Sequence, residues 1–473
     1  MSTGTGDVAG VATATDRTRS LAFAVAWLAY FTALQWSLVR FSLLIVAVLT
    51  VSTVALGVWQ WRRIRVLLTP LAAAVMLVGS AIATVAVSLF SYLEGTPLVV
   101  VKAVLVAVPL LVAVLLRSGR PGPTRAALVV TIVGYLTVAS VAVLGDPAPR
   151  IDVWVTLQQA SDALGRGVNF YGVTWVDSPG VPDAFTYLPW TAVLLAPGRW
   201  LAGDVRWALM LWTVVAAIGV WSLATRARAG AGGTAADRDG PGPRWRATAV
   251  IALLLFAPGT LTQVDQAWTE PLLLAGIVWW AVLVDRDRAW WAVLPLALAC
   301  ASKQHLALLL PVLLVWRPFG VRRSVATGAL AAVLMAPWFL TAPQDFVHDT
   351  VSLLVSFHAI LFANTLYLLA LNTFGVALPF WLTGLVVLGT LASVMVVVHR
   401  RQPSLAELLR WLALLLLVAN LVNKQAFYNQ YWLVGALVVV SLALSDPRPS
   451  VPGRDVGGEG GVHDHRLRRV PDA

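Results

Sequence analysis

Charged residues are scarce in this chain of 473 residues. Asp, Glu, Lys and Arg together make up 12% of it, whereas 59% of the residues are hydrophobic and the mean hydropathy is +0.79. A soluble chain of this length needs far more charge to cover its surface, so the composition excludes an ordinary soluble globular protein. The sequence therefore predicts an integral membrane protein.

Cysteine is almost absent, and the usual nucleotide-binding motifs are missing. The single cysteine, Cys300, excludes an intrachain disulfide and disfavours a metal–thiolate cluster. The chain has neither a Gly-x-Gly-x-x-Gly motif nor a Walker lysine motif to hold nucleotide phosphates. We predict no cofactor and leave a requirement for a divalent metal open. The polar residues 1–16 give no indication of a cleavable signal before the first apolar segment.

The hydrophobic residues are concentrated in repeated runs of about 20, long enough to cross a hydrocarbon layer of roughly 30 Å. Because backbone groups find no water in that layer, such runs must be helical. The sequence predicts an all-α, polytopic transmembrane helical bundle with about fourteen spans. The predicted spans are 20–38, 41–60, 66–92, 98–116, 126–144, 207–225, 247–258, 270–284, 289–301, 305–316, 324–340, 376–398, 411–422 and 430–444.

Positive charge is concentrated between these spans. The formal net charge is +11 and the isoelectric point is about 10.5. The arginines lie in short loops, as in the cytoplasmic loops of membrane proteins, so we predict no nucleic-acid binding. We expect a multi-pass plasma-membrane protein with both termini in the cytoplasm. The loops assigned to the cytoplasm are 62–65, 117–125, 226–246, 285–288, 317–323 and 400–410.

One loop on the predicted outer side, residues 145–206, is about 60 residues long, far longer than most connections in a bundle. Residues 151–165 carry apolar side chains at helical spacing, which predicts a helix lying on the membrane surface. Residues 187–202 are apolar but cannot span without inverting every later loop, so we predict a second interfacial helix there. The acids of this loop are Asp146, Asp152, Asp162, Asp177, Asp183 and Asp204.

Asp152 is the leading candidate for chemistry because it opens the first of these interfacial helices. Gln159 and Asp162 project to nearly the same side of that helix. A carboxylate at the membrane surface can deprotonate a hydroxyl that attacks an activated sugar. The alternative is that Asp152 caps the helix, which stabilises it by about 1 kcal/mol. The residue type alone favours the capping role.

Cations on the predicted outer side are candidates for binding a lipid phosphate. Lys303 lies in the motif ASKQH (301–305), for which the alternative is a snorkelling interfacial lysine. Lys424 lies in NKQAFY (423–428) beside aromatic residues. Histidines on the same side are further candidates for binding this phosphate, and the alternative is that they are ordinary interfacial residues. These histidines are His305, His348 and His358.

Two acids in TQVDQAWTE (262–270) are placed to orient an acceptor or a divalent ion. Asp265 is left open between this role and a structural one. Glu270 precedes a proline at a helix start, and this position favours a structural N-terminal acid. The Asp-x-Asp motifs at 237–239 and 285–287 are interpreted as solvated loop charges, and His-Asp-His at 463–465 as part of a disordered tail.

The long loop resembles the first outer loop of the GT-C glycosyltransferases. It is most similar to the actinobacterial family-87 mannosyltransferases, which depend on polyprenyl-phosphate mannose. The resemblance is close over about residues 145–226 and weaker but collinear to the end, whereas the four spans before residue 126 lie outside it. The family's His-containing motif near Lys424 is absent. The stretches that carry the resemblance are GDPAPRIDVW (145–154), ALGRGVNFY (163–171), FTYLPW (185–190), PGR (197–199) and GDVRW (203–207).

The resemblance implies an inverting transferase that moves a sugar, with mannose favoured, from a polyprenyl-phosphate donor to an extracytoplasmic glycolipid or glycan acceptor. Asp152 would be the general base. The residues implied for the donor phosphate are Lys303, His305, Lys424 and His348, and those for the sugars are Gln159, Tyr171, Tyr187 and Asp265. The implied regions are a cytoplasmic tail (1–19), an extra four-helix membrane region (20–125), a GT-C-like catalytic region (126–445) and a disordered cytoplasmic tail (446–473).

A transporter or flippase for lipid-linked glycans is the rival hypothesis, since a bundle of about fourteen helices also fits that function. Transport pathways usually place ionisable residues at mid-membrane, whereas here such residues are nearly absent from the span interiors. The sequence also shows no clear internal repeat. A family member that has lost its activity is a third alternative.

Overall fold

The structure is a computed structural model that describes residues 14–226 and 242–444. Within these ranges every regular element is a helix and no strand occurs, which confirms the predicted all-α class for the described part of the chain. Residues 227–241 of the predicted cytoplasmic loop 226–246 and the predicted disordered tail (446–473) lie outside the described residues. So do the motifs at 237–239 and 463–465.

The helices in chain order are α1 (Ala14–Trp36), α2 (Leu43–Arg62), α3 (Pro70–Ala86), α4 (Gly95–Arg117), α5 (Pro121–Gly145), α6 (Asp152–Gly165), α7 (Trp190–Ala202), α8 (Arg206–Arg226), α9 (Pro243–Leu255), α10 (Leu261–Asp265), α11 (Glu270–Asp285), α12 (Val293–Cys300), α13 (Leu309–Val315), α14 (Gly320–Thr341), α15 (Pro343–Val347), α16 (Leu353–Ser356), α17 (Leu366–Phe374), α18 (Phe380–Arg401), α19 (Leu405–Val422) and α20 (Tyr428–Ser441). A 3₁₀-helix (Gln304–Leu308) precedes α13, and a π-helix (His348–Ser352) joins α15 to α16.

Each predicted span coincides with a helix, but the helices differ in their capacity to cross a membrane. Among the described residues, seven helices are long and apolar enough: α2, α4, α5, α8, α14, α18 and α19. These seven helices are consistent with a helical membrane protein, but they do not confirm the count of about fourteen spans. Helix α9 has 13 residues and almost all of its side chains are buried. Because other helices surround it, it does not need the length of a lipid-facing span.

Among the bounds that differ from the prediction, two lie in the N-terminal region. Helix α1 begins at Ala14, inside the predicted tail 1–19, and the span predicted at 66–92 is helical only over Pro70–Ala86. In the second case residues 87–94 form an irregular connection that carries Ser91 and Tyr92.

The arginine-rich loops, which the sequence assigns to the cytoplasmic side, lie at one end of the bundle. Arg226, at the end of α8, lies 4.0 Å from the carboxylate of Asp285, at the end of α11. At the same end, Gln60 of α2 donates a hydrogen bond to the carbonyl of Glu407 in α19 (2.7 Å). We refer to this as the arginine-rich end, and to the opposite end, which carries the long loop 145–206, as the outer end.

The first four helices share one hydrophobic core with the rest of the chain. The hydroxyl of Tyr30 in α1 donates to the carbonyl of Tyr431 in α20 (2.7 Å). The indole of Trp245 in α9 donates to the carbonyl of Leu116 in α4 (2.8 Å). Polar side chains inside an apolar bundle need such internal partners, so these bonds fix how α1 and α4 pack.

The outer end is built from α6, α7 and a segment that covers them. Both predicted interfacial helices are present as α6 and α7, and aromatic rings of the loop pack between them, among them Phe170 and Phe185. The outer segment, residues 343–365, lies against this cluster, where the buried carboxylate of Asp349 accepts from the Phe185 amide (2.8 Å).

We predict that Gly435→Ala destabilises the protein. An added Cβ at position 435 in α20 would lie 2.5 Å from the ring of Phe31 in α1, closer than van der Waals contact allows. Overpacking of this kind costs about 1–3 kcal/mol, so the melting temperature in detergent should fall. The control is Gly384→Ala, where the added Cβ meets nothing within 4 Å. Equal melting temperatures for the two variants would contradict the packing of α1 against α20.

Candidate active site

Asp152 is the first residue of α6, and its two carboxylate oxygens have different surroundings. Oδ1 accepts from the amide of Val153 (2.8 Å), so one oxygen does satisfy the helix start. Oδ2 points at Gly180, where an added Cβ would lie only 2.5 Å away. Among the described residues no cation forms a salt bridge with Asp152, which stays partly exposed. Desolvation raises the pKa of this carboxyl, and the backbone hydrogen bonds offset part of the rise.

Tyr92, from the connection between α3 and α4, lies beside this acid. Its hydroxyl donates to the carbonyl of Arg150 (2.8 Å), and the exposed guanidinium of Arg150 lies 5.8 Å from the Tyr92 ring centroid. Burial raises the pKa of the Tyr92 phenol; Arg150 lowers it, and Asp265 and Asp152 add to the rise. The carboxylates of Asp152 in α6 and Asp265 in α10 therefore both act on the Tyr92 phenol.

Lys303 forms a buried ion pair. Its ammonium lies 2.5 Å from Oε1 of Glu270, and Asn429 donates to both oxygens of the same carboxylate at 2.9 Å. Lys303 is 8% exposed and Glu270 is fully buried. The sequence favoured a structural role for Glu270 at the start of a helix. The structure adds a second role, because this acid holds the ammonium of Lys303 in place.

Tyr187 lies beside the cation. Its ring centroid is 5.4 Å from the Lys303 ammonium. Burial raises the pKa of its phenol, and the charges of Asp152 and Glu270 raise it further. The hydroxyl of Tyr171 donates to the Tyr187 carbonyl (2.8 Å) and so holds the segment before α7. The ring of Tyr187 thus lies over the Lys303 ammonium, and its phenol is affected by the charge of Asp152.

Buried polar groups around α10 adjoin this region. Asp265 is fully buried, with Oδ2 accepting from Gln266 (2.7 Å), and desolvation raises its pKa to about 6. Gln263 is also buried, and neither atom of its amide has a partner in the described part of the protein. An unmet buried donor or acceptor costs about 1–3 kcal/mol. A polar guest, such as the hydroxyls of a sugar, would satisfy these atoms.

Of three other residues predicted for the site, Gln159 and Lys424 bind backbone groups. The amide of Gln159 donates to the carbonyl of Val176 (2.7 Å) and accepts from its N–H (3.1 Å). Lys424 donates to the carbonyls of Val355 and Phe357, both at 2.6 Å, and burial lowers its pKa. His305 lies partly buried in the 3₁₀-helix that follows Lys303.

The remaining predicted histidines lie on the outer segment. Nδ1 of His348 is 2.9 Å from the carboxylate of Asp349, and the imidazole is more than half exposed. His358 is exposed and stacks on Phe357, with ring centroids 4.4 Å apart. Together with Lys424 and Gln159, these two histidines belong to the part of the protein that covers the site.

Sequence patterns did not point to Tyr92 or Arg150. Tyr92 belongs to the region outside the resemblance, and a tyrosine at the end of an apolar run is an ordinary interfacial residue. The position of Arg150, two residues before Asp152, is a sequence feature that could have pointed to it.

An apolar cleft of about 210 Å³ lies close to the buried ion pair. It lies between α7, α8, α11 and α12. Its lining includes Leu272 and Gly276, within two turns of Glu270, and Ala299, whose carbonyl accepts from the Lys303 amide. The shape and the apolar lining suit a flexible hydrocarbon chain.

Metal ligands are not grouped in the described residues. No cluster of three or more His, Cys, Asp or Glu side chains there is arranged to hold a metal ion. At the arginine-rich end, Asp285 and Asp287 of the Asp-x-Asp motif both lie within 4.0 Å of Arg226.

We predict that Glu270→Leu is strongly destabilising, because it leaves the ammonium of Lys303 buried without its counter-ion. Breaking a buried pair from one side costs about 3–5 kcal/mol. The double variant Glu270→Leu/Lys303→Met removes both charges and should recover part of that loss. Thermal unfolding in detergent measures both variants. A double variant no more stable than the single one would contradict this account of the pair.

Comparison with known proteins adds no relative: no protein-family model matches the chain, and no curated protein matches its sequence. The similarity to GT-C enzymes therefore stays a prediction that rests on the motifs of the long loop.

Proposed function

We propose that this protein is an integral membrane glycosyltransferase. It moves a sugar, with mannose favoured by the resemblance, from a polyprenyl-phosphate donor to a glycolipid or glycan acceptor at the outer end. The observation that carries the proposal is the partly exposed carboxylate of Asp152, which forms no salt bridge with a cation among the described residues. Its charge acts on Tyr187, whose ring lies over the ammonium of the buried Lys303. The arginine-rich end faces the cytoplasm by the positive-inside rule, so the site faces away from it.

Asp152 is the general base. As the acceptor oxygen attacks the anomeric carbon, its proton moves to the carboxylate and the bond from that carbon to the phosphate oxygen breaks. Attack opposite the departing phosphate inverts the configuration. Desolvation supports this role, because a carboxylate with a raised pKa accepts a proton more readily than an exposed one.

Lys303 stabilises the departing lipid phosphate. Glu270 and Asn429 fix the position of its ammonium, and such preorganised charge lowers the barrier without further rearrangement. The phosphate leaves as an anion, so no general acid is required. The exposed Arg150 supplies a second cation on the same side as Asp152. We assign Lys424 and His348 to the outer segment, since their polar atoms bind groups there.

The two substrates use different surfaces. The prenyl chain of the donor lies in the apolar cleft beside α11 and α12. The sugar hydroxyls contact Tyr187 and the buried polar groups of α10, Gln263 and Asp265, whose unmet hydrogen-bonding capacity a sugar can use.

We predict that Asp152→Asn abolishes transfer. Membranes containing the protein are incubated with radiolabelled polyprenyl-phosphate mannose, and label is measured in lipid and protein fractions. Loss of a general base should lower the rate about 10²–10⁴-fold. Asp183→Asn, which neutralises an exposed acid of the same loop, is the matched control and should keep the wild-type rate. Transfer that survives Asp152→Asn removes this residue from its role, and no transfer by the wild type favours the transport hypothesis.

We also predict that the transfer rate falls at acidic pH. A general base works only when it is ionised, so protonation of Asp152 as the pH drops through its pKa removes activity. Because burial raises that pKa, the loss should begin at a higher pH than for an ordinary aspartate, whose pKa is about 3.9. The pH dependence of the initial rate measures this limb. A rate that stays constant down to about pH 4 would be incompatible with a buried carboxylate base.

A further inference from the structure

A second apolar groove, distinct from the cleft beside α11, opens towards the bilayer between α2, α18 and α19. Its volume is about 520 Å³. Gly57 and Trp61 line it from α2, Gly389 and Val397 from α18, and Trp411 from α19. Most of α18 is exposed on the surface of the bundle, since only 11% of its apolar window is buried. The groove therefore faces lipid.

The groove has the length of an acyl chain in one leaflet. Its lining on α18 extends from Leu385 to Val397, which at 1.5 Å per residue is about 18 Å. Half of the hydrocarbon core measures about 15 Å. A chain lying in the groove thus runs from the arginine-rich end to the middle of the bilayer.

Arginines surround the mouth of the groove. The guanidinium of Arg401 lies 4.7 Å from the ring centroid of Trp61 and donates to the Trp61 carbonyl (3.3 Å). Arg62, Arg63 and Arg400 are exposed at the adjoining helix ends. Glu407, at the start of α19, caps that helix by accepting from the Ser404 amide (3.0 Å), and among the described residues it forms no salt bridge with these arginines.

We propose that this groove is a binding site for one anionic phospholipid of the surrounding leaflet. An acyl chain lies between α2, α18 and α19, and the phosphate binds Arg401 with its neighbouring arginines. Basic residues at the end of an intramembrane groove are the chemistry that recognises anionic head groups. A second copy of the chain is disfavoured as the occupant, because it would bring a further set of like charges to the same level of the membrane.

The site goes beyond glycosyl transfer. It lies at the opposite end of the bundle from Asp152 and joins α2 of the N-terminal region to α18 and α19. A resident lipid would therefore fasten these helices together at a place where the protein itself leaves a gap.

The experiment compares lipid binding by the purified full-length protein and its variants. Native mass spectrometry measures the phosphatidylglycerol retained per chain, and thermal unfolding is recorded with added phosphatidylglycerol or phosphatidylcholine. Gly389→Leu places a side chain in the groove, where nothing lies within 4 Å of the added Cβ. Gly384→Leu is the matched control: it has the same open surroundings on the same helix but lies outside the groove lining. Arg401→Gln removes the charge without filling the groove.

We expect the wild type and Gly384→Leu to retain one phosphatidylglycerol and to be stabilised by it more than by phosphatidylcholine. Gly389→Leu and Arg401→Gln should lower retention about fivefold or more and lose the stabilisation. Asp152→Asn should bind the lipid normally, so this test is independent of the transfer assay.

Three outcomes would overturn the proposal. The first is equal stabilisation of the wild type by the two lipids. The second is wild-type retention by Arg401→Gln, which decides the matter alone if Gly389→Leu does not fold. The third is a wild-type dimer that Gly389→Leu dissociates, which would assign the groove to a second copy of the chain.

Discussion

The buried ion pair of Lys303 and Glu270 is the interaction on which the outer site depends. Glu270 starts α11, Lys303 follows α12, and Asn429 on α20 binds the same carboxylate, so three elements meet at one carboxylate. Charges in an apolar interior keep their place only when each has its partner. The pair therefore orders the ends of α11, α12 and α20, and it sets the position of Tyr187, whose ring lies over the ammonium.

The N-terminal helices complete this arrangement. Ser91 and Tyr92 reach the outer end because α3 ends at Ala86, several residues before the apolar run does. Tyr92 then lies among the carboxylates of α6 and α10 and binds the backbone of Arg150. Since α1 and α4 also pack on α20 and α9, the region before residue 126 shares both the core and the outer end with the part that resembles GT-C enzymes.

Hydropathy and periodicity predict the helices well. A hydrocarbon layer offers no water, so the backbone N–H and C=O groups must form hydrogen bonds with each other, as they do in a helix. Helical spacing in residues 151–165 likewise predicted α6. The sequence could not predict which side chains form pairs. Lys303 and Glu270 stand 33 positions apart, and no local pattern in the sequence links them. The sequence likewise does not indicate that Lys424, a candidate phosphate ligand, binds the carbonyls of Val355 and Phe357, which stand 69 and 67 positions away.

The two apolar openings differ in the charge at their polar ends, and this difference suits different lipids. The cleft beside α11 lies close to Lys303, whose charge Glu270 already balances, so an arriving phosphate meets a positioned ammonium without a large net attraction. In the proposed function, a donor lipid bound in this way can leave after it has lost its sugar, as turnover requires. The groove beside α18 leads to arginines that form no salt bridge among the described residues, which suits a firmer hold on an anionic head group. Net charge, rather than apolar shape, thus separates the proposed donor lipid from the proposed resident lipid.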